Sequence, residues 1–171
     1  MRSAAAAGVN LIQIRERDLD GGPLMRIVSA SLEAVRGTRA RVLVNDRLDV
    51  ALAAGAHGIH LRADSFDAPR IRPRVPPGFL IGRSVHSVPE AVMAAERGAI
   101  DYLIFGTVFE SVSKPGAAPA GIRQLSAVTA ATRIPVLAIG GMISDNIESV
   151  MAAGAAGIAG ISMFDMLPGV S

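Results

Sequence analysis

One pattern recurs along this chain: a helical stretch ends in glycine, and a short apolar run follows within a few residues. It appears as A-A-G-V-N-L-I, A-A-G-A-H-G-I-H-L, E-R-G-A-I-D-Y-L-I-F and A-A-G-A-A-G-I-A-G-I. Glycine adopts the left-handed backbone that often ends a helix, and short apolar runs between helices are typical of buried strands. Strands and helices that alternate through short connections form right-handed βαβ units, so the pattern predicts a parallel sheet.

The apolar runs predict strands at Leu11–Ile14, Arg41–Asn45, Gly58–Leu61, Leu80–Ser84, Tyr102–Gly106, Val136–Gly140 and Ile158–Ser162. Helical patterns lie at Pro23–Val35, Leu48–Ala54, Pro89–Arg97, Ile122–Thr132 and Asp145–Ala153, with a weaker one at Asp67–Arg72. A closed (β/α)8 barrel needs one strand more than these seven. The alternative is an open doubly wound sheet, but no G-x-G-x-x-G follows the first strand.

Two glycine-containing strand ends indicate which barrel strand is missing. The last two predicted strands end in A-I-G-G (Ala138–Gly141) and A-G-I-S (Ala159–Ser162). Barrels often bind phosphate after strands seven and eight, where backbone N–H groups and a helix N-terminus face the anion. The opening A-A-A-A-G then corresponds to the end of the first helix.

We therefore expect residues 1–171 to form a single α/β domain, a TIM (β/α)8-type barrel without its first strand and most of its first helix. The edges left open should be unstable or should pair with something, so a homo-oligomer is one expectation.

Composition narrows the functional classes. The chain has no cysteine, which excludes disulfides and thiolate–metal sites and fits a reducing cytoplasm. It shows no secretory signal and no apolar run long enough to span a membrane. Arg70, Arg72 and Arg74 cluster without interleaved aromatic residues, so a solvated turn is favoured over an anionic partner, and nucleic-acid binding is not expected.

Barrel active sites lie at the carboxyl ends of the strands, and the first predicted strand runs into Q-I-R-E-R. Gln13, Arg15 and Arg17 alternate and so share one face. Two cations and an amide that converge suggest a phosphate or diphosphate site. A surface strand that forms ion pairs with Glu16 and Asp18 is an equal alternative at this stage.

The next three strand ends also carry polar groups. Asn45 and Asp46 end the second strand; a carboxylate beside an amide can hold Mg²⁺, although capping of the following helix is the favoured interpretation of these two residues alone. His60 lies in an apolar strand and is expected to be a packed core histidine. Ser84 is a candidate ligand for a polar substrate, whereas His86 is expected to have a loop role.

The fifth strand leads into a segment with the only lysine of the chain, Lys114, beside Ser111 and Ser113. A compact cation next to hydroxyl groups commonly holds a departing phosphate, although an ordinary mobile loop remains the alternative. With the glycine-rich ends, the mouth of the barrel would carry two anion sites. Two such sites imply two phosphorylated substrates and favour a transferase that joins them over an isomerase.

In this order the motifs resemble thiamine phosphate synthase and its relatives, the TenI proteins. The likeness runs from Gly8 to Phe164 through G-V-N-L-I-Q-I-R-E-R, V-L-V-N-D-R-L-D-V-A-L-A-A-G-A-H-G-I-H-L, S-V-H-S, D-Y-L-I-F-G-T-V-F-E-S-V-S-K-P-G, V-L-A-I-G-G-M and A-A-G-A-A-G-I-A-G-I-S. The resemblance implies a TIM barrel that joins aminopyrimidine-methyl diphosphate to a thiazole phosphate in thiamine biosynthesis. In that family the diphosphate leaves first, helped by Mg²⁺ and cations, and the thiazole nitrogen then captures the pyrimidine cation.

The resemblance also implies roles for single residues. Those expected to hold the pyrimidine diphosphate are Gln13, Arg15, Arg17 and Asn45, joined at the diphosphate by Ser84, Ser111, Ser113 and Lys114. Among these, Lys114, Arg15 and Arg17 are the expected catalytic cations. Asp46 would bind Mg²⁺, and the thiazole phosphate would be held by Gly141, Ile161 and Ser162.

Two departures from the family pattern bear on activity. The family's G-Q-E-D after the third strand reads R-A-D-S here (Arg62–Ser65), so its second Mg²⁺-binding aspartate falls on Ser65. Asp64 would point differently, and Arg62 could supply part of the metal's charge. The histidine that TenI tautomerases use falls on Thr107. The alternatives to a synthase are a TenI-like thiazole tautomerase relative and a non-catalytic barrel that binds a phosphorylated ligand.

Overall fold

The computed structural model describes residues 1–111, 116 and 118–161. In these ranges the strands are β1 (Leu11–Ile14), β2 (Arg41–Asn45), β3 (Gly58–Leu61), β4 (Leu80–Val85), β5 (Tyr102–Gly106), β6 (Val136–Ile139) and β7 (Gly157–Ala159). The helices are α1 (Arg2–Ala6), α2 (Gly21–Ala34), α3 (Leu48–Ala54), α4 (Ala68–Ile71), α5 (Val88–Arg97), α6 (Gly121–Ala131) and α7 (Ser144–Ala152), with a 3₁₀ turn at Arg72–Arg74 after α4. None of the helices in these ranges is long and apolar enough to cross a bilayer.

All seven strands pair in parallel and in sequence order, from β1 at one edge of the sheet to β7 at the other. The expected fold is confirmed: a TIM-type sheet curls into part of a barrel, with a helix between each pair of successive strands. Ahead of β1 the described residues form the short helix α1.

The predicted strand bounds are close to those observed. β4 continues one residue further, to Val85, and β6 stops at Ile139 because Gly140 takes a positive φ of 103° that leaves the strand conformation. β7 begins one residue earlier than predicted and ends at Ala159, whereas its predicted last residue, Ser162, lies outside the described residues.

The core fills the layer between the outer face of the sheet and the helices. One buried cluster joins the first four strands to α2, α3 and α4, and a second joins β4, β5 and β6 to α5, α6 and α7. Leu24 and Val28 lie four residues apart on α2 and are both buried, as an amphipathic helix requires. Burial of each such aliphatic side chain contributes about 1.5–3 kcal/mol to the stability of the folded state.

Gly82 determines how the inner face of the sheet is packed. A side chain at this position would collide with the ring of Tyr102, which lies across the strand. Because glycine leaves that space open, Tyr102 reaches over β4 and its hydroxyl oxygen lies 3.1 Å from Nδ1 of His60. The buried His60 on β3 therefore contacts a side chain from β5, two strands away.

The arginine cluster after α4 is partly structural. Arg72 donates to the Phe79 carbonyl at 2.7 Å and to Asp101 Oδ2 at 2.6 Å, and the same carboxylate oxygen accepts from the Ile81 backbone at 2.7 Å. The network joins the start of β4 to the residue before β5. The solvation expected of this cluster is seen at the exposed Arg70, on α4, and at the exposed Arg74, but not at Arg72, which this network binds.

Candidate active site

The carboxyl ends of β1 and β2 bring Gln13 and Asn45 together. Nε2 of Gln13 donates to Oδ1 of Asn45 at 2.9 Å, and both side chains are half-buried. Within the described residues, the remaining Asn45 NH₂ hydrogens and the Gln13 carbonyl oxygen have no other hydrogen bond. The pair therefore presents a donor beside an acceptor at the mouth of the sheet, as a flat polar ring edge would require.

Asp46 follows Asn45 in a backbone conformation that side chains rarely adopt, with φ at 60°. Its N–H donates to the His60 carbonyl at 3.0 Å, which ties the end of β2 to β3. α3 begins at Leu48 with Arg47 as its N-cap residue and has no side-chain cap. The capping interpretation of Asp46 is therefore wrong, since the left-handed turn directs the carboxylate away from the helix and towards the loop after β3.

The Asp46 carboxylate meets two groups from that loop. The Ser65 hydroxyl donates to its Oδ1, and Arg62 Nε lies 3.5 Å from its Oδ2. Ser65 Oγ in turn accepts from the Arg62 backbone N–H at 3.0 Å, so the hydroxyl is fixed from both sides. The Asp46 side chain keeps 25% of its surface exposed, and a ligand at the strand ends can reach it.

Asp64 and Asp46 both contact the Arg62 side chain. Arg62 holds Asp64 with two hydrogen bonds, from Nε at 2.9 Å and from Nη2 at 2.6 Å. The hydrogen bond from Arg62 lowers the pKa of the Asp64 carboxyl below its usual value. Asp64 thus remains ionised as the partner of Arg62 and does not supply the carboxylate that Ser65 lacks.

The side chains around Asp46 determine which ligands a metal ion would have here. The described residues contain no group of three or more His, Cys, Asp or Glu side chains placed to bind one ion. Mg²⁺, however, commonly uses one or two carboxylates and completes its shell with water and phosphate oxygens. The partly exposed Asp46 carboxylate fits that mode, in which the ion and a phosphorylated ligand bind together.

Arg15 and Arg17 lie exposed beside this region, and within the described residues they form no ion pair or hydrogen bond. The alternative of pairing with Glu16 and Asp18 is therefore not what the described residues show. Their charges still reach the site: the charge of Arg17 adds to the effect of Arg62 in lowering the pKa of Asp64. Both guanidinium groups remain available to an anion.

His60 is a packed core histidine, as expected. It is 2% exposed, and Nε2 lies 2.9 Å from Ser84 Oγ while Nδ1 faces the Tyr102 hydroxyl. Burial lowers the pKa of His60 to about 4, and it also raises the pKa of Tyr102. The ring is neutral at pH 7 and fixes the half-buried Ser84 hydroxyl at the mouth of the sheet.

His86 has the loop role expected of it. Its Nδ1–H donates to the Gly106 carbonyl at 2.6 Å, and its backbone N–H donates to Glu90 Oε2 at 2.8 Å. The ring therefore joins the turn after β4 to the end of β5. Thr107, the position of the tautomerase histidine, follows directly and is half-buried.

The end of β6 carries the glycine pair. Gly140 and Gly141 have φ of 103° and 64°, and a side chain at Gly141 would collide with the Glu110 carbonyl. Asn146 of α7 donates to the Gly141 carbonyl at 2.8 Å and accepts from the Ile143 N–H at 3.0 Å. The Phe109 N–H donates to the Gly140 carbonyl at 3.1 Å, which holds the turn against the loop after β5.

The remaining predicted residues are placed only in part. Ser111 is half-buried after β5, and Ile161 is 69% exposed after β7. Ser113, Lys114 and Ser162 lie outside the described residues.

Sequence reasoning missed Arg83. It stands in the predicted fourth strand, on the face opposite Ser84, and its guanidinium reaches the loop after β3. A charged residue within the otherwise apolar L-I-G-R-S-V was the only signal that marked it.

Comparison with known proteins gives a consistent result. The family model described as thiamine monophosphate synthase matches residues 1–164. The thiamine-phosphate synthase of Methanoculleus marisnigri is 46% identical over 162 residues, which are 94% of this chain and 76% of that protein. A putative thiamine-phosphate synthase 2 of Aquifex aeolicus is 39% identical over 92% of this chain and 83% of that protein.

Solved structures agree on the fold. A thiamine phosphate pyrophosphorylase from Pyrococcus furiosus superimposes with a TM-score of 0.86 at 33% identity, over 99% of this chain and 81% of that chain. A 3-hexulose-6-phosphate synthase gives a TM-score of 0.70 at 17% identity, over 98% of this chain and 85% of that chain, which supports the barrel-type fold alone.

Proposed function

We propose a function from one premise: this chain belongs to the thiamine monophosphate synthase family, whose model matches residues 1–164. The proposed activity is that of a thiamine phosphate synthase-like transferase, which joins hydroxymethylpyrimidine diphosphate to a thiazole phosphate. The observation that carries the proposal is the cluster at the ends of β1, β2 and β3, where the Gln13–Asn45 pair adjoins the Asp46 carboxylate. This arrangement supports binding of a ring that bears a diphosphate, with the ring at the Gln13–Asn45 pair and the diphosphate beside Asp46.

The reaction breaks one bond and forms another. The C–O bond between the pyrimidine methylene and the diphosphate breaks, and the diphosphate leaves with the electron pair. The thiazole nitrogen then donates its lone pair to the methylene carbon and forms the new C–N bond. Negative charge grows on the leaving group during the first step, so fixed cations aimed at the diphosphate lower the barrier.

The pyrimidine is assigned to the Gln13–Asn45 pair. The Asn45 NH₂ and the Gln13 carbonyl offer a donor and an acceptor side by side, and an aminopyrimidine edge offers the complementary acceptor and donor. The neutral His60 supports this end of the site indirectly, because it fixes the Ser84 hydroxyl at 2.9 Å.

The diphosphate is assigned to the cations and hydroxyls around the mouth. Arg15 and Arg17 are exposed guanidinium groups that can bind phosphate oxygens in pairs. The further groups proposed for this anion are Ser84, Ser111, Ser113 and Lys114. Lys114 is proposed to hold the departing diphosphate, since it is the only lysine of the chain and the other sixteen basic residues are arginine.

Asp46 is proposed as the Mg²⁺ ligand. When bound, Mg²⁺ would neutralise charge on the leaving diphosphate. Asp46 supplies one carboxylate, its Ser65 partner is a neutral hydroxyl, and Arg62 places a guanidinium 3.5 Å from the same carboxylate. We propose that the ion binds together with the diphosphate, whose oxygens would complete its coordination beside Asp46.

The thiazole phosphate is assigned to the opposite side of the mouth, at Gly141, Ile161 and Ser162. Gly141 can bring its backbone close to an anion because it has no side chain, and α7 begins three residues later. The proposed partners are therefore two phosphorylated small molecules, with neither nucleic acid nor membrane involved. A cytoplasmic location is proposed from the absence of cysteine. Self-association is proposed because β1 and β7 form the two edges of the sheet within the described residues.

Phosphorus NMR separates this proposal from the two alternatives. The folded protein is given both substrates with Mg²⁺, and again with EDTA in place of the metal. A synthase releases inorganic diphosphate only with Mg²⁺, whereas a tautomerase relative changes the thiazole without diphosphate release. A ligand-binding barrel broadens the substrate signals without turnover, and either of these two results would overturn the synthase proposal.

A further inference from the structure

We propose that Arg83 is a positioning residue for the diphosphate and metal side of the site, and that it acts through Ser65 on Asp46. The inference rests on the proposed function for the identity of the ligand. Its structural basis is separate, because Arg83 lies on the outer face of the sheet and is not among the residues assigned to a substrate.

The guanidinium of Arg83 holds the loop after β3 by its backbone. Nη2 donates to the carbonyls of Ala63 and Ser65, each at 3.0 Å, and Nη1 donates to the carbonyl of Phe66 at 3.2 Å. Arg83 pairs with Leu61 in the sheet register, so it stands beside the point where the loop leaves β3. One side chain thus fixes three carbonyl groups across four consecutive residues.

The same loop carries the groups that face Asp46. Ser65 Oγ lies between the Asp46 carboxylate, to which it donates, and the Arg62 backbone N–H, from which it accepts. Because Arg83 binds the Ser65 carbonyl, it sets the position of the Ser65 backbone on the side opposite the hydroxyl. A shift of this loop would move both Ser65 and Arg62 relative to Asp46.

A second contact of the loop serves as an internal comparison. Arg97 pairs with Asp67 at 2.7 Å, with half of each side chain exposed. Exposed ion pairs of this type contribute little, and Asp67 is the N-cap residue of α4 rather than part of the turn that faces Asp46. The two arginines therefore bind one loop, but only Arg83 binds the residues beside the site.

The test compares Arg83→Met with Arg97→Met. The measured quantity is the dissociation constant of inorganic diphosphate with Mg²⁺, by titration calorimetry on the folded proteins, together with the KM of each substrate. We expect Arg83→Met to weaken diphosphate binding about tenfold, in the range seen when groups that orient metal ligands are lost. The KM for the pyrimidine diphosphate should rise in parallel, the KM for the thiazole phosphate should stay unchanged, and Arg97→Met should match the parent protein in all three.

A double-mutant cycle tests whether the effect of Arg83 on diphosphate binding depends on Ser65. If Arg83 acts mainly through Ser65, Arg83→Met should have a much smaller effect on diphosphate binding in the Ser65→Ala protein than in the parent protein, because only the shift of Arg62 relative to Asp46 is then left. If Arg83→Met does not fold, Arg83→Lys takes its place. Lysine keeps the positive charge but lacks the planar guanidinium that binds three carbonyls, so we expect a severalfold loss of diphosphate affinity.

Three results would overturn the inference: equal diphosphate binding by Arg83→Met and the parent protein, equal losses in Arg83→Met and Arg97→Met, or full additivity with Ser65→Ala. If the parent protein binds no diphosphate, the inference falls with its ligand. If it binds diphosphate but makes no thiamine phosphate, the synthase proposal fails while the binding cycle still decides the role of Arg83.

Discussion

The Ser65 hydroxyl donates a hydrogen bond to the Asp46 carboxylate, across the gap between the loops that follow β2 and β3. A neutral group thus occupies the position at which the family pattern has a second acidic side chain. Of the two acidic residues that contact Arg62, Asp64 forms the two shorter hydrogen bonds with it, whereas Asp46 contacts Ser65 and is the proposed metal ligand. Several consequences can be measured.

Replacement of Ser65 by aspartate should create a two-carboxylate metal site. Two adjacent carboxylates repel each other when both are ionised, so Ser65→Asp should lower the melting temperature in EDTA. Mg²⁺ should reverse that loss, and the Mg²⁺ concentration for half-maximal activity should fall about tenfold. Thermal melts with and without Mg²⁺ measure the effect, with Ser65→Asn as the uncharged control. Equal Mg²⁺ stabilisation of the aspartate and asparagine variants would exclude a metal site at this position.

Acidification should destabilise the fold through His60. Burial lowers the pKa of His60 from 6.5 to about 4. Between pH 6.5 and pH 4, His60 is therefore protonated in the unfolded chain but neutral in the folded chain. The stabilising contribution is complete above about pH 6.5 and is lost as the pH falls towards 4. At about 1.4 kcal/mol per pH unit, the loss is about 3 kcal/mol.

Urea unfolding at pH 7 and pH 4.5 measures this loss, with His60→Gln as the comparison. The variant is less stable at pH 7 but should show a shallower decline with acid. Some decline should persist in the variant, because burial also lowers the pKa of His57, whose Nδ1 accepts a hydrogen bond from the Val42 N–H at 3.0 Å. Identical pH profiles for the parent protein and the variant would rule out His60 as a titrating group.

Gly82→Ala should destabilise the fold because the added methyl group would collide with the Tyr102 ring. Overpacking of this kind typically costs about 1–3 kcal/mol. Gly22→Ala is the matched control, since its methyl group in α2 would meet only the end of the Arg26 side chain at 3.9 Å. That change should be neutral or slightly stabilising. The denaturant midpoints of unfolding of the two variants measure the difference in stability. Comparable midpoints would contradict the packing described for Tyr102.

Gly141→Ala should affect one substrate more than the other. The residue has φ of 64°, and a side chain would collide with the Glu110 carbonyl, so the turn after β6 must shift. The KM for the thiazole phosphate should rise about tenfold or more, while the KM for the pyrimidine diphosphate changes little. A selective rise for the pyrimidine diphosphate instead would place the two phosphates on the opposite sides of the mouth.

Much of the fold follows from local patterns. β1, β2, β3 and β5 have the bounds expected of short apolar runs, since burial on the sheet determines where each run begins and ends. The position of Gln13 beside Asn45 also follows, because the ends of adjacent parallel strands meet at one edge. The prediction that Asp46 caps α3 was wrong. Its left-handed backbone is accompanied by a hydrogen bond to β3, which no local sequence pattern indicates.

Long-range contacts explain the other differences. Arg72 was placed in a solvated turn, but its partner Asp101 lies 29 residues away in the chain. Arg83 was not singled out because its partners are backbone carbonyls, which carry no signature in the sequence. The burial of His60 was expected from its apolar strand, whereas its partners Ser84 and Tyr102 depend on how three strands lie in register.

The most direct test of the synthase proposal is the rate of thiamine phosphate formation from both substrates with Mg²⁺, measured side by side for the parent protein and Asp46→Asn. Asparagine tolerates the left-handed backbone at this position, so the variant should fold while it loses the carboxylate. We predict Mg²⁺-dependent product from the parent protein and a rate at least about a hundredfold lower from the variant. Absence of product from the folded parent protein, or an unchanged rate in Asp46→Asn, would contradict the account.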